Sequence, residues 1–273
     1  MEKDLKYFTI PNILTLFNLI AGSFAIFYAF EKSETLYMAS YFIVAALVFD
    51  FLDGFVARLI NAQSKIGEQL DSLADLVSFG IAPAAITFQL ILKALDIKNF
   101  SAELPIWQVV VLLTPILLIV AAALRLAKFN VDDRQKIDFF GIPTPVSAIF
   151  FISIPLLDNF NPDNLLILKT WLDINLPFDF ILAIIGLQVY VIPSYILYVV
   201  SIVVATILQL VDFSFFPFKF DGLSFSKNKL KFIYIGISLF LFIFLQCFIV
   251  PFLVIMYVLF SIGDDIVSLF KKK

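Results

Sequence analysis

Four aspartates, Asp50, Asp53, Asp71 and Asp75, crowd into residues 50–75 of a chain that is 62% apolar and only 15% charged. They are the groups this sequence offers for acid, base or metal chemistry. It contains no His, and the single Cys, Cys247, lies in an apolar run without a partner for a disulfide or zinc site. At about 100° per residue on a helix, Asp53, Gly54 and Ala57 fall within about 60° of Asp50, and Gly67, Asp75 and Ser78 within about 40° of Asp71. Each helix therefore carries two carboxylates on a stripe with small residues. The short polar link NAQSK makes the two helices antiparallel, so the acidic stripes converge at one membrane surface. Unpaired, such carboxylates repel one another and resist desolvation, and only Arg58 is near in sequence. One or two divalent cations would draw them together, and oxygen-only ligands suit Mg²⁺ or Mn²⁺. The neighbouring Gly and Ala let a flat or anionic ligand approach the backbone. The plainer alternative is a set of solvated helix-end acids, which would not need to share a stripe with small residues.

The elements that must position these residues are membrane helices. A soluble domain carries roughly a quarter charged residues, and here apolar runs of about 20 residues recur, each long enough to cross a hydrocarbon core of roughly 30 Å. Runs at 9–30, 36–60, 66–92, 105–127, 143–157 and 190–211 predict six helices. The first is read as a retained span, being too long and too poorly followed by small residues for a cleaved signal. The tail from Phe232 to Ile262, with Pro251 inside it, is too long for one comfortable crossing and is read as a two-helix hairpin. With the N-terminus inside, only Lys32, Lys93, Lys98 and Lys169 of the 19 Lys and Arg fall outside, as the positive-inside rule requires. The expectation is an all-α polytopic membrane protein of about eight spans with both termini cytoplasmic. Residues 1–212 form the main domain, with an external insertion at 158–189, and 213–273 form a cytoplasmic loop plus the C-terminal hairpin. No internal repeat is visible.

The spacing Asp50, two residues, Asp53-Gly54, two residues, Ala57-Arg58, eight residues, Gly67, three residues, Asp71, three residues, Asp75 matches every fixed position of the CDP-alcohol phosphatidyltransferase motif, and the chain resembles that family. The resemblance implies the family's six-helix core and a metal pair, Mg²⁺ or Mn²⁺, held by Asp50, Asp53, Asp71 and Asp75. Asp75 is then also the base for the incoming hydroxyl. Gly54, Ala57, Arg58 and Gly67 would line the nucleotide and phosphate site. Asn12 and Thr15 on the first span either touch the nucleotide, as in the family, or make interhelix hydrogen bonds. The resemblance also implies a homodimer and an active site at the cytoplasmic face, in the plasma membrane if the source is bacterial; no nucleic-acid partner is expected.

Further stretches, IPNILTLFNLIAG, LDSLADLVSFGIAPA, LRLAKFNV and FFGIPTPVSA, resemble the phosphatidylserine synthase branch, between about residues 10 and 220. That branch implies CDP-diacylglycerol as the lipid donor and L-serine as the acceptor. A zwitterionic acceptor needs a cation for its carboxylate, and Arg125 and Asn130 lie at the inner end of a span where they could face the metals. Arg125, Lys128 and Arg134 also fit as topogenic charges near lipid head groups. Lys128 stands where the branch usually has a second Arg. The rival readings are a sibling transferase using glycerol 3-phosphate, inositol phosphate or choline, and a cation transporter using intramembrane acids. A transporter would place those acids mid-span and tends to carry inverted repeats.

Overall fold

A computed structural model describes residues 7–31, 35–101, 103–132, 139–158, 194–215, 233–238 and 249–271. These residues are almost entirely helical, as an all-α membrane protein requires. The insertion at 158–189, apart from its first residue, lies outside the described residues, as do Arg134 and Cys247.

Helix α1, Ile10–Glu31, begins with Pro11 in its first turn, where the missing N–H would have had no helical partner. Its buried face is Pro11, Asn12, Thr15, Asn18, Ala21, Gly22, Ala25 and Ala29, a three-to-four repeat made of small or polar side chains. Large apolar side chains such as Phe17, Phe24, Phe27 and Phe30 point outward. That inversion suits a lipid environment: apolar surface gains nothing by leaving lipid tails, so helices associate through small residues that let backbones approach. Helix α2, Leu36–Leu59, packs along α1 through Ala39, Ile43 and Ala46, and the same cluster takes in Ala82, Ala85 and Ile86.

The chain turns between α2 and the next helix with Asn61 at φ 50°, a left-handed conformation Asn tolerates. Ser64 then caps α3, Lys65–Asp75, its hydroxyl accepting from the Gly67 N–H at 3.1 Å. The helix does not stop at Asp75. It loosens into a π-helical segment, Leu76–Ile81, and resumes as α4, Ala82–Ala94. Within this segment Ser78 faces α1, as Asp75 does, and donates to the Asn18 carbonyl at 3.0 Å. Ser78 and Asp75 thus meet the same residue of α1, on one face of this helix.

Helices α5, Ile106–Leu113, and α6, Ile116–Val131, are separated at Thr114-Pro115, where proline cannot supply the helical N–H. Helix α7, Thr144–Asp158, follows the short strand β1, Phe139–Phe140; α8, Ser194–Leu210, precedes β2, Ser214–Phe215, and the two strands pair antiparallel. Gly141 turns the chain here at φ 77°, where a Cβ would lie 2.5 Å from the Gln209 carbonyl oxygen. Helix α9, Ile249–Lys271, includes Pro251. The helical residues 233–238 lie against it, Tyr234 donating to the Leu253 carbonyl at 3.3 Å.

Among the described residues three helical stretches are long and apolar enough to cross a membrane: Ile10–Glu31, Lys65–Ala94 and Ile106–Val131. Shorter apolar helices lie at Thr144–Leu157, Ser194–Leu210 and Val250–Gly263.

Candidate functional site

Helix α1 runs alongside both α2 and α3 and holds one acid of each. Thr15 donates its hydroxyl to Asp53 Oδ2 at 2.5 Å, and one turn further Asn18 Nδ2 donates to Asp75 Oδ1 at 3.1 Å. Asn12, one turn earlier, sits against Gly67, where a Cβ would lie 3.0 Å from Asn12 Oδ1. The approach of α1 to the π segment is closer still: a Cβ on Gly22 would fall 2.7 Å from the Ser78 Cα. Only glycine permits it.

The result is that Asp50, Asp53 and Asp71 bring carboxylate oxygens within 4.8 Å of one another. Asp53 is buried, Asp50 and Asp71 partly so, and Asp71 Oδ1 is a buried oxygen with no hydrogen-bond partner among the described residues. Nothing cationic is bonded to the three among those residues. Convergent, under-compensated oxygen donors of this kind fit a hard divalent cation, so the cluster could hold a metal. Asp75 is set deeper, nearly buried, within electrostatic reach of the other three acids and of Arg125.

Beside the acids opens a cavity of about 640 Å³. Asn12, Thr15, Gly54, Ala57, Arg58 and Gly67, the residues expected around nucleotide and phosphate, all line it together with Asp53 and Asp71. The open face of Gly54 matters here, since a Cβ there would meet nothing nearer than Arg58 Nη2 at 3.9 Å. Pro11, Ala62, Gln63, Ser64, Lys65, Glu68 and Phe129 complete the wall. The polar ones among these lie in the link and first turn of α3, where the sequence reads only as a connector; their position beside the motif was the available signal.

Arg125 and Asn130, both on α6, part company. Asn130 Nδ2 donates to Ser72 Oγ at 2.9 Å, tying α6 to the outer face of α3. Arg125 is buried at 6% exposure, reaches Thr144 Oγ1 with Nη1 at 3.4 Å, and leaves Nε without a partner among the described residues. Lys128 instead forms an exposed ion pair with Asp212 beyond the end of α8. Asn18 is the residue that sequence reasoning missed. Its signal was its place three residues after Thr15, as a lone amide in an apolar run that must find a partner if buried.

Residues 8–176 match the CDP-alcohol phosphatidyltransferase family. Among curated relatives, a protein named CDP-diacylglycerol–serine O-phosphatidyltransferase from Helicobacter pylori (strain J99 / ATCC 700824) is 38% identical over 151 residues, covering 55% of this chain and 58% of the relative. A protein of the same name from Bacillus subtilis (strain 168) is 32% identical over 143 residues, covering 52% of this chain and 73% of the relative. The Methanocaldococcus jannaschii protein of that name is 32% identical over 147 residues, covering 54% of this chain and 60% of its own length. The matched part thus spans little more than half of the Helicobacter relative, and helices α8 and α9 lie beyond the family match.

Proposed function

The chain belongs to the CDP-alcohol phosphatidyltransferase family, and on that premise we propose that it transfers the phosphatidyl group of CDP-diacylglycerol to the hydroxyl of L-serine and releases CMP. The observation that carries the reading is the convergence of Asp50, Asp53 and Asp71 on one point beside a cavity lined by Gly54, Ala57 and Arg58. The printed names of the relatives support serine as the acceptor.

In this reading Asp50, Asp53, Asp71 and Asp75 hold two Mg²⁺ or Mn²⁺ ions. Bound there, the metal neutralises charge on the pyrophosphate. Arg58 and the glycine-lined wall accept the nucleotide and phosphates, with Gly54 letting them reach the backbone of α2. Asp75, fixed by Asn18, takes the proton of the serine hydroxyl. The serine oxygen bonds to the phosphorus next to diacylglycerol, the bond from that phosphorus to the bridging oxygen breaks, and CMP leaves with that oxygen. Arg125 takes the serine carboxylate.

The donor is a lipid and the acceptor is soluble, so the site belongs at a membrane surface, with acyl chains leaving sideways between helices. The charge distribution supports the cytoplasmic face, an eight-span arrangement with both termini inside, and 213–273 as a loop and hairpin. The contact of residues 233–238 with α9 is the packing such a hairpin needs. A homodimer completes the proposal by family analogy.

Purified protein given CDP-diacylglycerol, Mn²⁺ and labelled serine should form labelled phosphatidylserine and an equal amount of CMP, and the Asp75→Asn variant should form neither. Parallel arms with glycerol 3-phosphate, inositol phosphate and choline test the acceptor. Faster CMP release with any of these than with serine would reject serine, and no CMP release with any alcohol would reject the transferase reading.

A further inference from the structure

Asp75 is flanked by two buried polar atoms of opposite need. On α1, Asn18 is 0% exposed; its Nδ2 is spent on Asp75, and its Oδ1 has no hydrogen-bond partner among the described residues. The Asn18 backbone carbonyl accepts from Ser78 and Gly22 packs on the Ser78 backbone, which holds α1 close to this segment, while the bond from Nδ2 to Asp75 sets which way the amide faces. On α6, Arg125 presents a buried Nε–H in the same condition. Its height is set by its neighbours. Ala122 meets the position of a Gly80 Cβ at 3.0 Å, and Asn130 bonds Ser72, so Arg125 between them lies level with Asp75.

An acceptor oxygen and a cationic N–H buried without partners are each costly. A ligand placed at Asp75 relieves both only if it carries a donor and an anion together. Among alcohols whose single hydroxyl is the reacting group, a neutral one answers neither, a cationic one answers only Asn18, and an anionic one answers only Arg125.

We propose that Asn18 and Arg125 act as a pair that selects a zwitterionic amino alcohol, Asn18 Oδ1 accepting from the ammonium and Arg125 binding the carboxylate, with the hydroxyl left facing Asp75. This rests on the serine reading above and adds Asn18 as a specificity-determining residue. Asn18 thereby has two tasks, orienting Asp75 and reading the ammonium, and the two separate experimentally.

The test measures kcat/KM for CMP release from CDP-diacylglycerol with three acceptors: L-serine, 3-hydroxypropionate, which lacks the ammonium, and ethanolamine, which lacks the carboxylate. The unsubstituted protein prefers serine to both. Asn18→Leu should shrink the preference for serine over 3-hydroxypropionate by about tenfold or more and leave the preference over ethanolamine nearly unchanged. Arg125→Met should do the reverse, and the KM for the lipid donor should hold in both. Disordering Asp75 slows all three alcohols alike and cancels in the ratios. Equal loss with every acceptor in Asn18→Leu would therefore overturn the pair and reduce Asn18 to a support for Asp75. Should Asn18→Leu not fold, Asn18→Ser reads the same ratio with a shorter acceptor, and an unchanged ratio there counts equally against the proposal. CMP release with another alcohol but not with serine would instead reject the serine reading, and this inference with it.

Discussion

The two halves of α1 bury the same face with opposite chemistry. From Asn12 to Asn18 the face is polar and each side chain is committed to a neighbour: Thr15 to Asp53, Asn18 to Asp75. From Ala21 to Ala29 it is alanine and glycine, packed against Ala39, Ile43, Ala46, Ala82 and Ile86. The apolar half is built for close approach and the polar half for holding like charges together. Stability and chemistry are therefore divided along one helix, with Gly22 at the border. Grouped carboxylates work against folding unless something compensates them, and the alanine seam next to them supplies the rigid support.

The sharpest way to break this comparison is to neutralise an acid. Asp71→Asn should lower CMP release by about 10³-fold, equivalent to roughly 4 kcal/mol of barrier, while its thermal midpoint in chelator stays level or rises because one repelling charge is gone. A variant that unfolds in chelator would show that the acids also hold the fold. The counterpart is metal addition. Mn²⁺ at about 100 times its dissociation constant should stabilise the unsubstituted protein by about 2.7 kcal/mol, read as a raised thermal midpoint, and Asp71→Asn should lose most of that gain.

At the border, Gly22→Ala drives a methyl group into the Ser78 backbone, and the α1 contact must open. It should cost about 1–3 kcal/mol and reduce activity as well, because Asn18 moves with it; denaturation and turnover measured on one preparation check both. Smallest is Lys128→Met. Its ion pair with Asp212 is exposed, with side chains 38% and 61% accessible, so its loss should cost under about 1 kcal/mol and leave the serine KM unchanged. A large rise in that KM would move Lys128 into the acceptor site and weaken the division drawn here.

Much of this arrangement was legible in the residues. The apolar runs marked the helices to within a few positions, because a lipid-facing helix must be apolar over a length set by the bilayer. The acid spacing marked two stripes, because helical periodicity converts sequence gaps into angles. What escaped was whatever depended on a third element. Thr15 read equally as a nucleotide contact or an interhelix bond, and its hydrogen bond to Asp53 appears only once α1 is laid on α2. Ser78 fitted the acidic stripe and stays beside Asp75, but its bond to the Asn18 carbonyl likewise needs α1 in place.

By itself, then, the sequence determined that this chain builds helices for a lipid environment and gathers carboxylates on two of them, since composition and periodicity are local properties of the chain. Only the tertiary structure decided which side chains meet those carboxylates. Whether a buried amide such as Asn18 finds Asp75, and whether Arg125 lies level with it, depends on how three helices approach through their small residues, and a contact distance of that kind is not encoded at any single position.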